Sequence, residues 1–196
     1  MQFKNIIFAA ALQAGLAAAV GNAIISNRCP YDVYVFSVSQ LINSAPIKVP
    51  ARSQYKEQIK NCNGCNTSFK VSKTDKVVGG AHTQFEYTVA GNQLWYDISL
   101  VDCAKGEDGA NCPGWDKGLA VDSTGSTCGK SACKGGSFCP AQVYFVDQPL
   151  IKQGVQEPVF TCPGAGLDVD VTYKLCNDEA PLKRSIAGRL LADIDA

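Results

Sequence analysis

Glu86 and Asp97 are the two residues of this sequence whose types and spacing point most directly to shared chemistry. Phe85-Glu86-Tyr87-Thr88-Val89 alternates apolar with polar, and so does Tyr96-Asp97-Ile98-Ser99-Leu100. A two-residue period marks half-buried strands. Gly91-Asn92 between them suits a tight hairpin turn. Glu86 lies five positions before Gly91 and Asp97 five after Asn92, so the two carboxylates face each other across the pair. A longer loop over Ala90–Gln93 has the same centre and gives the same register. Opposed side chains have Cβ atoms about 4.5–5.5 Å apart, where like charges destabilise a sheet. Carboxyls held that close push one another's pKa upward, which divides them into a protonated and an ionised partner. A splayed, solvated pair on an exposed face is the plainer alternative.

Other reactive side chains offer less. His82 is the sole histidine and no serine or cysteine stands in a recognised nucleophile elbow, so it reads as a loop histidine and not as part of a triad. The only CxxC is Cys62-Asn63-Gly64-Cys65. With one histidine to join it, a zinc site is not expected, nor is any other metal or cofactor. Trp95 and Trp115 suit either stacking on a sugar ring or semi-buried packing. Asn66-Thr67-Ser68 is an N-glycosylation sequon.

The elements around the hairpin begin with a leader. Met1-Gln2-Phe3-Lys4 is a short basic start, and residues 6–20 are apolar or small apart from Gln13. Ala17-Ala18-Ala19 supplies the small-x-small pattern of a signal-peptidase site. The expectation is a signal peptide over residues 1–19, cleaved after Ala19 or, as second choice, after Ala23. No later apolar run is long enough to span a membrane. All ten cysteines (Cys29, Cys62, Cys65, Cys103, Cys112, Cys128, Cys133, Cys139, Cys162 and Cys176) follow that leader. An even number in an oxidising compartment is expected to form five disulfides, for which roughly 945 connectivities exist. Local geometry favours Cys62–Cys65 as a small loop. The chain carries 18 basic and 18 acidic residues, and removing Lys4 leaves 17 against 18. Such neutrality gives no footprint for nucleic acid or an anionic membrane.

Extended segments follow at Ala23–Ser26, Val33–Val38, Tyr55–Ile59 and Ser68–Lys73, with Pro46 and Pro50 bracketing a linker. Strand signals return at Gln142–Val146, Val159–Thr161 and Asp168–Leu175. Residues 104–140 differ, with eight glycines and four cysteines, and read as a stapled loop region. One domain over residues 20–176 is expected, an all-β sandwich or flattened barrel with disulfide-stapled loops. Residues 177–196 form a tail with no cysteine. Its Lys183-Arg184 is a dibasic site, so processing after Arg184 is expected.

Several stretches resemble the thaumatin-like proteins. The segment Ile24-Ile25-Ser26-Asn27-Arg28-Cys29-Pro30-Tyr31-Asp32-Val33-Tyr34 resembles the family's first strand. Glu86-Tyr87-Thr88 is similar to its Ala-Glu-Phe-Thr segment, and Tyr96-Asp97-Ile98-Ser99-Leu100-Val101-Asp102 to its Tyr-Asp-Val-Ser-Leu-Val-Asp motif. Cys139-Pro140, Tyr144-Phe145-Val146-Asp147, Phe160-Thr161-Cys162 and Val171–Cys176 follow in the family's order. The short length and ten cysteines resemble the reduced, fungal branch of secreted thaumatin-like proteins, with residues 103–140 as the remnant of a larger second domain.

The resemblance implies an acidic cleft in which Glu86, Asp97, Asp102 and Asp147 match the family's four acids. The family's arginine is missing, and Lys70 or Lys73 stands in that neighbourhood; lysine lacks the planar fork. Cys103 replaces the glycine that normally follows Asp102. Asp97 and Asp102 differ by an odd number, so a bulge or turn must bring Asp102 to the same side. The resemblance also implies a Cys29–Cys176 bond, with the six cysteines at 103, 112, 128, 133, 139 and 162 pairing among themselves. The function implied is that of a secreted monomer, associated with the fungal cell wall, binding β-1,3-glucan and acting in wall remodelling during growth or conidial germination. A weak endo-β-1,3-glucanase is the alternative, with Glu86 as acid and Asp102 or Asp97 as ionised partner. A third reading is a secreted protein-interaction module such as an effector, adhesin or inhibitor.

Overall fold

The structure is a computed structural model that describes residues 20–40, 43–61, 66–77, 80–147, 149–150, 154–182, 185–186 and 189–190. The leader, Cys62 and Cys65, and Lys183-Arg184 therefore lie outside the described residues. The strands, in chain order, are β1 (Asn22–Asn27), β2 (Val33–Ser39), β3 (Ile47–Val49), β4 (Ser53–Gln58), β5 (Asn66–Ser72), β6 (His82–Ala90) and β7 (Gln93–Ser99), then β8 (Leu119–Ser123), β9 (Ser131–Cys133), β10 (Phe160–Thr161), β11 (Val171–Leu175), β12 (Ser185–Ile186) and β13 (Arg189–Leu190). Among the described residues there is no α-helix, only a 3₁₀ turn over Trp115–Lys117, and no helix long and apolar enough to cross a membrane.

Two sheets form the sandwich. One has the order β4-β1-β11-β8-β9 and the other β10-β7-β6-β5-β2-β3. Alternation fixes which face each strand buries. Val33 and Val35, Phe69 and Val71, Phe85, Leu94 and Ile98 point inward from the six-stranded sheet and are fully buried. Ala23 and Ile25, Leu119 and Val121, Tyr173 and Leu175 meet them from the other side. Tyr173 is the hub, with its ring centroid 5.0 Å from Phe85 and 6.4 Å from Phe69. β1 and β11 pair in parallel, the first strand beside the last of the sandwich. Cys29–Cys176 closes that pair just beyond its end, with Cα atoms 5.1 Å apart.

Three further disulfides, Cys103–Cys112, Cys128–Cys162 and Cys133–Cys139, tie the irregular segments down, and no described cysteine is free. Residues 104–140 are more than stapled loop. They contribute β8 and β9 to the five-stranded sheet, β8 lying between β11 and β9. The apolar residues Leu119 and Val121 alternate within a glycine-rich setting and carry the pattern of a half-buried strand. The opposite correction applies to Gln142–Val146. The Cys139 carbonyl accepts the backbone N–H groups of both Gln142 and Val143, which curls the chain, and only Tyr144 makes a single bridge to Ser99. Val143 and Phe145 are buried without a ladder. Asp168–Asp170 also stays outside β11, because the Asp170 carboxylate accepts two bonds from Asn22 and its backbone N–H bonds the Thr124 hydroxyl. The linker bracketed by Pro46 and Pro50 contains the short edge strand β3.

Candidate functional site

The hairpin β6–β7 turns on Gly91 and Asn92, whose φ angles of 59° and 57° are the left-handed pair that a two-residue turn of this hand requires. That turn sets Ala90 opposite Gln93 and hence Glu86 opposite Asp97. β5 runs along the other side of β6, with Asn66 opposite Thr88, Ser68 opposite Glu86 and Lys70 opposite Gln84. The outward face is thus ruled into rows across three strands: Asn66–Thr88–Trp95, Ser68–Glu86–Asp97 and Lys70–Gln84–Ser99.

A second wall rises from the segment that follows Tyr144. The Tyr144 N–H donates to the Ile98 carbonyl at 2.9 Å and Leu100 N–H donates to the Tyr144 carbonyl at 2.7 Å, which docks this segment against the end of β7. Between wall and sheet lies a cleft of about 380 Å³, with Glu86, Asp97 and Ser99 on one side and Tyr144, Asp147 and Glu157 on the other. An adjoining hollow of about 190 Å³ contains Asn66, Thr88 and Trp95 and shares Glu86 and Asp97. The opposed carboxyls are the saddle between an acidic compartment and an aromatic one.

Burial dominates the electrostatics of the saddle. It pushes the Asp97 carboxyl well above the usual carboxylate range, and the charge of Glu86 pushes it further. Burial also raises Glu86; the Ser68 hydroxyl and the Lys70 ammonium oppose that rise, and Asp102 adds to it. Both carboxyls of this coupled pair are therefore harder to ionise than free ones. One Asp97 oxygen, Oδ1, is buried with no hydrogen-bond partner, a vacancy that costs less beside a neutral carboxyl than beside a charged one. Tyr144 aims its hydroxyl at Glu157. Burial first, then that bond and the charges of Asp97 and Glu86, raise its pKa. The upward shift falls on both members of the pair, so the acid role expected for Glu86 suits Asp97 as well.

Asp102 reaches the site by a turn. β7 ends at Ser99, and the Leu100 carbonyl accepts the N–H groups of Cys103 and Ala104 at 3.0 and 2.7 Å. The turn packs against Gly80, where a Cβ would stand 2.1 Å from the Asp102 carbonyl oxygen and φ is +76°. Asp102 does not line the cleft. Its Oδ2 sits 2.8 Å from His82 Nε2 and 3.6 Å from Lys70 Nζ. Of the five residues expected together, Glu86, Asp97 and Asp147 line the cleft, while Asp102 and Lys70 make a cluster beside it.

His82 belongs to that cluster, and the loop assignment is corrected. It is the first residue of β6 and only 3% exposed. Burial and the Lys70 charge lower its pKa against the opposing pull of Asp102. The lowered value favours a neutral ring near neutral pH; Nε2 faces both Asp102 Oδ2 and, at 3.5 Å, Lys70 Nζ, and Nδ1 is buried without a partner. The signal for it was periodicity: His82, Gln84 and Glu86 share one strand face. Trp95 is 40% exposed on the polar face, whereas Trp115 is half-buried and donates Nε1–H to the Ser137 carbonyl. Among the described residues no group of three or more His, Cys, Asp or Glu is arranged to hold a metal ion.

Comparison with known proteins agrees with this architecture. Residues 10–177 match the family described as Blastomyces yeast-phase-specific protein (Bys1). An antigenic thaumatin-like protein of Arthroderma benhamiae is 30% identical over 120 residues, 60% of this chain and 55% of its own length. The secreted thaumatin-like protein calA of Emericella nidulans is 29% identical over 126 residues, 63% of this chain and 68% of its own. The aligned part of the chain thus spans little more than half of the first relative. The crystal structure of the protein elicitor MoHrip2 from Magnaporthe oryzae superposes with a TM-score of 0.58 at 21% identity, covering 80% of this chain and 98% of that one; it shares the fold. The chain belongs to the Blastomyces yeast-phase-specific protein family and is a small fungal thaumatin-like protein.

Proposed function

We propose that this protein is secreted and binds β-1,3-glucan of the fungal cell wall as a non-catalytic monomer, in wall remodelling during growth or conidial germination. The observation that carries this reading is the pairing of an acidic cleft with an exposed aromatic: Glu86 and Asp97 lie between Asp147 and Glu157 on one side and Trp95 on the other. Carboxylates accept hydrogen bonds from sugar hydroxyls, and an indole face packs on the C–H face of a pyranose. Secretion is supported by the leader-like residues 1–19, by the described disulfides, which persist in oxidising compartments, and by the printed name of the calA relative. The domain would run over residues 20–176, with the tail trimmed after Arg184.

A weak endo-β-1,3-glucanase is the second reading, favoured by one observation: two carboxyls held directly opposite each other, both with pKa values raised by burial. Acid and anion side by side are what glycoside hydrolysis uses. Sedimentation with insoluble β-1,3-glucan, run beside reducing-sugar release from laminarin, separates the two. Retention on the pellet without sugar release supports the binding protein, and sugar release abolished by Asp97→Asn supports the enzyme. Failure to sediment and to release sugar rejects both.

A further inference from the structure

The aromatic compartment has a neighbour that the glucan reading does not use. Asn66 opens β5 as the first residue of the sequon Asn66-Thr67-Ser68, and its side chain is exposed. Its carbonyl oxygen accepts the Thr88 hydroxyl, and no hydrogen bond engages Nδ2 among the described residues. Thr88 in turn stands opposite Trp95. Asn66, Thr88 and Trp95 therefore lie abreast on three neighbouring strands, all on the face of Glu86 and Asp97, and line one hollow. Two strand spacings separate Asn66 from Trp95, about 10 Å, within reach of the first sugars of an N-linked chain. Trp95 is among the few large apolar side chains left exposed, at 40%, with no described partner over its outer face.

We propose that Asn66 carries an N-linked glycan whose first sugars lie over Trp95 and close the aromatic end of the cleft. The inference rests on secretory entry and on the cleft reading above. In the secretory pathway the oligosaccharide comes from a lipid-linked diphosphate donor. The bond between sugar C1 and the phosphate oxygen breaks, a bond from C1 to Asn66 Nδ2 forms, and one amide proton leaves with the lipid diphosphate. Ser68 supplies the hydroxyl that the sequon requires. Folding of β5 against β6 then turns the modified amide toward Trp95. The chain thereby carries its own occupant for the surface on which a soluble sugar would stack, so the state of Asn66 sets how much of the cleft is open.

The test uses the full chain secreted from a fungal host, with intact-mass analysis and quenching of tryptophan fluorescence by acrylamide. Wild type is compared with Asn66→Gln and with wild type treated with an N-glycosidase; Trp95→Phe in each background isolates Trp95 from Trp115. The expected result is one oligosaccharide on Asn66 and at least about twofold weaker quenching of Trp95 in the glycosylated form, restored by either route to the glycan-free protein. Glucan sedimentation should be several-fold stronger once the glycan is gone. Asn66 found unmodified, or modified with unchanged Trp95 quenching, overturns the proposal. Altered quenching with no glucan retention in any form overturns the glucan reading and leaves the glycan lid standing.

Discussion

Tyr173 crosses the sandwich to donate its hydroxyl to the backbone carbonyl of Glu86, at 2.6 Å. The most central aromatic of the five-stranded sheet thus fixes the strand position that carries a cleft carboxylate. The Tyr173 ring is fully buried against Phe85 and Phe69, so the bond works in a low-dielectric interior where an unpaired group is costly.

Tyr173→Phe keeps the packing and deletes that bond. Stability should fall by about 0.5–1.5 kcal/mol, the usual net worth of one hydrogen bond. Urea melts should show a lower midpoint with unchanged m, and glucan retention should weaken because Glu86 is no longer held. An unaltered midpoint would mean that the bond contributes nothing.

His82 gives a pH signature of its own. Its folded-state pKa is lowered, by burial first and by Lys70 second, so the unfolded chain binds the proton more readily. Stability associated with His82 is intact above about pH 6.5, the ordinary value. It is lost as pH falls from there to the lowered folded value. The sequence holds a single histidine, so one ring resonance followed by NMR against pH reports it without ambiguity. A midpoint at or above the ordinary value would refute the neutral buried ring.

How much of this was legible in the sequence depends on how local each signal is. Glu86 and Asp97 were legible as a facing pair because the alternation and the Gly91-Asn92 turn lie within one hairpin, where counting residues fixes register. Their upward shifts were not: burial is the first cause for both carboxyls, and burial is set by packing between segments far apart in sequence. His82 carried a readable signal, its even spacing from Glu86, yet its partner Asp102 comes from a turn that only Gly80 permits. β8 was obscured because glycines and cysteines surround its short alternating run. Gln142–Val146 misled because residues that merely plug a core share the composition of a strand.

Gly80→Ala tests that turn. The substitution places a Cβ on the Asp102 carbonyl at a positive φ, and strain of this kind costs about 1–3 kcal/mol. The expected consequence reaches further than stability. Asp102 is the one neighbour pulling the His82 pKa upward, so displacing the turn should move the ring midpoint lower still. A destabilised variant with an unmoved His82 midpoint would show that the turn and the cluster are independent.

The saddle itself makes the sharpest prediction. Both Glu86 and Asp97 have folded-state pKa values above their ordinary ones, so the folded chain holds protons that the unfolded chain has released. In that window, from about pH 4 upward to the raised folded values, stability falls as pH rises. This sign is opposite to that of His82. Glu86→Gln removes one of the two facing acids while keeping its shape, so stability near pH 7 should rise by about 0.5–1 kcal/mol on the cross-strand scale. Asp97→Asn should instead flatten the carboxylate part of the pH profile, because its amide mimics the proton-bearing state. Glu86→Gln should lose glucan retention, since an amide presents the sugar hydroxyls with one acceptor where a carboxylate presents two. Stability gained together with binding lost is the pattern of a site that tolerates repulsion for the sake of a ligand. Urea melts across that pH range, paired with glucan sedimentation, decide it: a less stable Glu86→Gln that still sediments with glucan would make these carboxyls part of the scaffold and not of a site.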